Sequence, residues 1–366
     1  MTAAHPMARA WISTGGTGAK NYDEFADDNE ITAVVSANPS SALAVEMPHK
    51  APESVGQTFE EALPHAVQRL RQAQAEGLYR QHEDVVAAYR ITDADGTPSH
   101  GLFAMVDTQE ISTSVDEPGR VIRNEDVFVA KVRQRVALIQ ACDHLLSAVL
   151  LVQTENDREF AALLTQVCEQ GGVPDVVDHD GSGRTHEVWG VSDPATASQL
   201  CELAGAGQLV VADGNHRSLA AQQARLERFM AVITTAPDLS LLPYHRLISS
   251  WPSDLPPIEE ALRRSGAEVT MITGPVDTPA EGGTIHVYSH GRGYAVRFPD
   301  SMGEGSTGED LAVGDELVGA AVVDTMDHAL VERLLLGQIL GWEPGDERIT
   351  YVGGDYSARW LCAAVD

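Results

Sequence analysis

Basic residues are scarce in this 366-residue chain: 25 Lys plus Arg stand against 54 Asp plus Glu, a formal net charge of −29. Such a surface repels duplex DNA and anionic membranes, so nucleic acid and membrane partners are not expected. Cysteine is scarce too. Cys142, Cys168, Cys201 and Cys362 lie far apart with no Cys-x-x-Cys pair, which argues against a zinc knuckle or a disulfide framework and predicts reduced, mostly buried thiols. No run approaches the roughly 18 apolar residues of a bilayer span, and no basic region leads into an apolar stretch at the start of the chain. A cytoplasmic location is therefore expected. His-Glu-x-x-His is missing, since His82-Glu83 and His186-Glu187 each lack the second histidine, and the thirteen histidines show no paired metal spacing.

What is present reads as alternating strands and helices, hence α/β or α+β. Length suggests roughly two or three domains on a prior of about 150 residues each. The divisions expected are an N-terminal α/β segment (1–115), a core (116–250) and a C-terminal α/β segment (251–366). Thr58 to Glu76 reads as an amphipathic helix opened by Thr58 with Glu61 three residues on. Val85 to Thr92 and Gly101 to Asp107 read as a β-pair around the turn signal Asp93-Ala94-Asp95-Gly96-Thr97-Pro98. Helices follow at Lys131 to Leu145, Glu155 to Glu169 and Pro194 to Leu203, and strands at Ala148 to Gln153 and Glu187 to Val191. Asp175 to Arg184, polar and glycine-rich, reads as a loop. Beyond Trp251-Pro252, Ile258 to Arg264 and Leu330 to Leu340 read as helices, with strands at Glu268 to Met271, Thr284 to Ser289 and Tyr294 to Phe298.

In so acidic a protein a local cluster of basic residues points to a bound anion or to a salt-bridge network. The strongest case is Leu209-Val210-Val211-Ala212-Asp213-Gly214-Asn215-His216-Arg217-Ser218, an apolar strand that turns at Gly214 into a helix. Backbone N–H groups at a helix start attract anions, and Arg217 and protonated His216 would add charge-assisted hydrogen bonds there. Asp213 would cap the helix, handle a proton or contact a metal ion. A second cluster, Arg123-Asn124-Glu125 followed by Lys131, Arg133 and Arg135, offers Glu125 as a general base or reads as a solvated loop entering a cationic helix. In the third, His245 and Arg246 sit among apolar residues, as a strand end with one polar face also would.

Asp213-Gly214-Asn215-His216-Arg217 resembles the Asp-Gly-His-His-Arg signature of free serine kinases, of the ParB/sulfiredoxin superfamily. Gly214, Arg217 and Ala220 also fit the Gly-x-x-Arg-x-x-Ala phosphate motif of nucleotide-binding ParB-like proteins. The chain as a whole resembles the bacterial family known as domain of unknown function 1015. The resembling segments include Asn38-Pro39 ahead of a strand, Asn124-Glu125 ahead of Lys131 and Arg135, Trp189 to Asp193, and Leu242-Pro243-Tyr244-His245-Arg246. This resemblance implies a ParB/sulfiredoxin-like nucleotide-binding core and a kinase that moves a phosphoryl group from ATP or ADP, or CTP, to free serine or a related hydroxy amino acid, with Mg²⁺. By the same resemblance Glu125 and Asp213 are catalytic, and Gly214, Asn215, His216 and Arg217 hold phosphate. Lys131, Arg135, His245 and Arg246 are candidate substrate or phosphate contacts. Arg123-Asn124-Glu125 stands where the kinases carry Pro-His-Glu, and Asn215 replaces a histidine; Asn still hydrogen-bonds a phosphate oxygen but carries no charge. A ParB-like nucleotide switch with little kinase activity is the alternative, and a homodimer is compatible with either.

Overall fold

The computed structural model describes residues 2–18, 22, 25, 27–112, 119–123, 129–180, 182–239, 242–279, 282–298, 327–343, 346–354 and 356–366. They divide into two compact units, Met1–Leu241 and Leu242–Asp366. Both mix strands with helices, in line with the expected α/β class.

In the first unit the strands are β1 (Ala4–His5), β2 (Met7–Ser13), β3 (Tyr79–Thr92), β4 (Pro98–Asp107), β5 (Val121–Ile122), β6 (Val149–Gln153), β7 (Val176–His179), β8 (Thr185–Val191), β9 (Leu209–Asp213) and β10 (Arg228–Thr235). They form one sheet in the order β5-β9-β6-β10-β4-β3-β8-β7, with β1 added on β4 and β2 on β3. Only β5/β9 and β6/β10 among these pairings are parallel. Because β10 pairs with both β4 and β6, residues 1–115 and 116–241 are joined by one continuous hydrogen-bond ladder.

The hairpin between β3 and β4 closes where the turn residues demanded it. Gly96 takes a φ of 88°, and the Asp95 carboxylate accepts from the Thr97 N–H at 2.9 Å. Helix α3 (Phe59–Ala75) opens with the anticipated capping box, Thr58 Oγ1 accepting from the Glu61 N–H while the Glu61 carboxylate accepts from the Thr58 N–H. Helices α4 (Val129–Cys142), α5 (Asp157–Gln170) and α6 (Pro194–Ala204) follow, and α4 packs between α3 and α7 (Asn215–Gln223). From α5 and α6, Phe160, Leu164 and Leu200 are fully buried in one core with Leu102 and Leu151 of the sheet.

Three readings are corrected. Val176–His179, expected to be loop, is strand β7, because four residues with polar flanks carry almost no periodic signal while pairing to β8 holds them extended. Asn38-Pro39 leads not into a strand but into helix α2 (Leu43–Glu46), after a further helix, α1 (Asp28–Ala37). Three apolar residues and a glutamate, all four buried, suit either conformation by pattern alone, and packing decided it. The helix expected over Leu330 to Leu340 is π-helical from Val331 to Leu340.

The second unit holds a two-stranded sheet, β11 (His245–Ile248) with β15 (Ile349–Val352), and a three-stranded one in which β14 (Arg292–Arg297) lies between β12 (Glu268–Met271) and β13 (Thr284–Ser289). Helix α8 (Ile258–Arg264) and the π-helical stretch supply Leu262 and Leu334 to a core with Val296.

Candidate functional site

The strand-turn-helix forms as the residues dictate. Leu209 and Val211 on one face of β9 are fully buried, and Asp213 ends the strand with its side chain half-exposed. Gly214 then takes a φ of 97°, a left-handed conformation that side-chain-bearing residues rarely adopt. A second constraint falls on the same glycine: a Cβ there would lie 2.7 Å from Arg217 Nε. Arg217 folds back over the turn and makes an ion pair with Asp213, four residues earlier. Asp213 therefore does not cap the helix; the N-cap is Gly214, with no side-chain capping bond. Asn215, Arg217 and Ser218 are buried, and the Ser218 hydroxyl donates to the Asn215 carbonyl at 2.9 Å.

His216 differs from expectation in charge. Burial, then the positive charges of Lys131 and Arg217, push its imidazole below the ordinary histidine range, with Asp213 opposing. The neutral ring is thus favoured at pH 7, in place of the protonated one expected at this helix start. Lys131 and Arg135 are one turn apart on α4, which packs on α7, so both reach this region of the unit. Arg135 is only 6% exposed and lies over the rings of Tyr22 and Phe59 at 4.2 and 5.3 Å. Its Nη2 donates to the Glu46 carbonyl at 3.2 Å. Arg135 and Arg217 line one small cavity with Ser147, Leu138, Val149 and Phe229.

Glu125 lies outside the described residues, as does Asn124. Strand β5, which ends at Ile122, runs parallel to β9 in the register Val121 to Leu209 and Ile122 to Val210. The chain thus leaves β5 in the direction in which β9 enters the Gly214 turn.

Glu46 was missed by sequence reasoning. It is buried at the end of α2, and the Ser147 hydroxyl donates to its carboxylate at 2.5 Å. The signal was a lone carboxylate inside the apolar run Leu43-Ala44-Val45-Glu46-Met47, a position that water does not serve. His245 and Arg246 belong to the second unit. Arg246 is bound to Glu332 of the π-helical stretch at 2.7 Å and lies over the rings of Tyr244 and Tyr351, so its charge is neutralised within its own unit.

Phosphate and metal place different demands on the turn. An oxyanion suits a helix start carrying a left-handed glycine and flanked by Lys131 and Arg217. Among the described residues a divalent cation would meet Asp213 there, already engaged by a guanidinium, and would share it with Arg217.

Fold and site define a mixed α/β protein whose first unit ends one sheet strand in a glycine turn with cationic side chains beside it. The chain belongs to the family described as Protein of unknown function (DUF1015), whose model matches residues 17–328. No curated protein and no solved structure matches it.

Proposed function

We propose that this protein is a small-molecule kinase, transferring a phosphoryl group from ATP or ADP to the hydroxyl of free serine or a related hydroxy amino acid on a ParB/sulfiredoxin-like nucleotide-binding core. The observation that carries the reading is the turn itself: Gly214 left-handed at the start of α7, Arg217 folded against it, and Lys131 close enough to add to the effect of burial in lowering the His216 pKa. In a chain of net charge −29, that concentration of cations is best explained by an anionic ligand.

In the proposed reaction the acceptor oxygen attacks the terminal phosphorus. The new O–P bond forms as the bond to the nucleotide's bridging oxygen breaks, and the hydroxyl proton passes to Glu125. Asp213 positions the hydroxyl, while the α7 N–H groups, Asn215, His216 and Arg217 hold phosphate oxygens. Phosphoryl transfer depends mainly on positioning and charge neutralisation, which such a set supplies. Mg²⁺, with Asp213 as its protein contact, would neutralise further phosphate charge.

The test is phosphorus NMR of the protein incubated with serine, Mg²⁺ and ATP, ADP or CTP in turn. Phosphoserine is the expected product. Nucleotide binding without phosphoserine would replace the kinase by a nucleotide-binding switch, and no nucleotide binding would remove both.

A further inference from the structure

The cavity lined by Arg135 and Arg217 holds an unsatisfied charge. Arg135 Nη1 is buried and has no hydrogen-bond partner, although Nη2 is engaged by the Glu46 carbonyl and approaches Met47 Sδ at 3.4 Å. No carboxylate among the described residues forms an ion pair with Arg135. A buried guanidinium without a counter-ion is costly, and an anion that reached it would bind in a low-dielectric setting where the attraction is strong. The guanidinium lies over the rings of Tyr22 and Phe59, which restrict its plane.

The cavity is about 30 Å³ and opens to solvent, so water-sized groups enter it. Where the adjoining Gly214 turn takes the phosphate, the anion left for Arg135 is the carboxylate of the acceptor. Leu138, Val149 and Phe229 supply apolar wall, and Ser147 and His144 add hydrogen-bonding side chains to it. Arg217, which also lines this cavity, is the residue that closes the Gly214 turn, so the cavity adjoins the proposed phosphate site.

We propose that this cavity is a carboxylate-binding subsite with Arg135 as its specificity residue. Resting on the phosphoryl-transfer reading, the acceptor is then a hydroxy acid held by its carboxylate and not a simple alcohol or amino alcohol.

Isothermal titration calorimetry in phosphate-free buffer tests this, with and without a non-hydrolysable ATP analogue. The probes are L-serine, L-lactate, ethanolamine and inorganic phosphate. Serine and lactate should bind and ethanolamine should not, with Arg135→Gln weakening both acids by tenfold or more and Arg135→Lys by less. If Arg135→Gln fails to fold, as circular dichroism would reveal, Arg135→Lys and the ethanolamine comparison on the unaltered protein decide. Ethanolamine binding as well as serine, phosphate displacing the acids, unchanged affinity in the variants, or no acid binding in either condition would each overturn the proposal. Transfer plays no part in this readout: acids that bind through Arg135 without yielding a phosphorylated product would leave the subsite standing and remove the kinase.

Discussion

Gly214 is where backbone and side chain constrain the same atom. Replacing it with alanine puts a Cβ on a left-handed backbone and against Arg217 Nε, so urea denaturation should show a loss of about 1–3 kcal/mol. Nucleotide affinity should fall with it, since the turn and Arg217 move together. Arg217→Ala should mainly weaken nucleotide binding, whereas Glu125→Gln should abolish turnover and leave affinity nearly intact, as single-turnover kinetics and equilibrium binding would separate. His216 supplies a pH test. Its folded-state pKa is lowered, so the unfolded chain binds the proton more tightly, and the stabilisation present above the ordinary histidine pKa of about 6.5 is lost as pH falls below it. Urea midpoints measured from pH 8 to pH 5 should decline on the acid side, and His216→Gln should flatten that decline. The thiols behave differently again. Burial pushes Cys168 and Cys201 up to about 11, so iodoacetamide at pH 8 should label Cys362, which is partly exposed, well before either, as mass spectrometry of the native protein would show.

At the scale of elements, the places where local chemistry and tertiary structure agree are those with a short-range cause. The Thr58–Glu61 capping box opened α3 where expected, and Thr58→Ala should lower stability by about 1 kcal/mol in thermal or urea unfolding. Asp93 to Pro98 closed a hairpin, and the apolar run before Gly214 became β9. Elements defined by their neighbours were illegible. Strand β7 exists because β8 offers it a ladder, and α2 is helical because all four of its residues, the carboxylate Glu46 included, are buried. The same reason hid Glu46 as a member of the site, because only packing brings α2 beside Ser147 and Arg135, about a hundred residues further along the chain.

For the whole molecule, the hydrophobic cores of the two units are made of different residues, one around Leu102, Leu151 and Phe160 and the other around Leu262, Val296 and Leu334. Calorimetric unfolding should accordingly depart from a single two-state transition, the calorimetric enthalpy exceeding the van't Hoff value. Nucleotide at a hundred times its dissociation constant should stabilise the first unit by about 2.7 kcal/mol and raise that transition alone. A nucleotide that raised only the second unit's transition would place its site away from Gly214. Among the described residues no helix is long and apolar enough to cross a membrane.

Sequence by itself determined the acidic surface, the capped α3, the hairpin and the Asp213 to Arg217 turn, since charge sums, caps and glycine turns depend on residues within a few positions of one another. Tertiary structure alone decided that Arg217 pairs with Asp213 instead of leaving it to cap the helix, that His216 tends to be neutral, and that Arg246 is answered by Glu332. It also set Arg135 over two rings beside a cavity. Arg246 and Glu332 lie many tens of residues apart, and the state of His216 follows from burial. Although Arg217 and Asp213 are only four residues apart, that spacing serves a helix cap and an ion pair alike until the turn is folded.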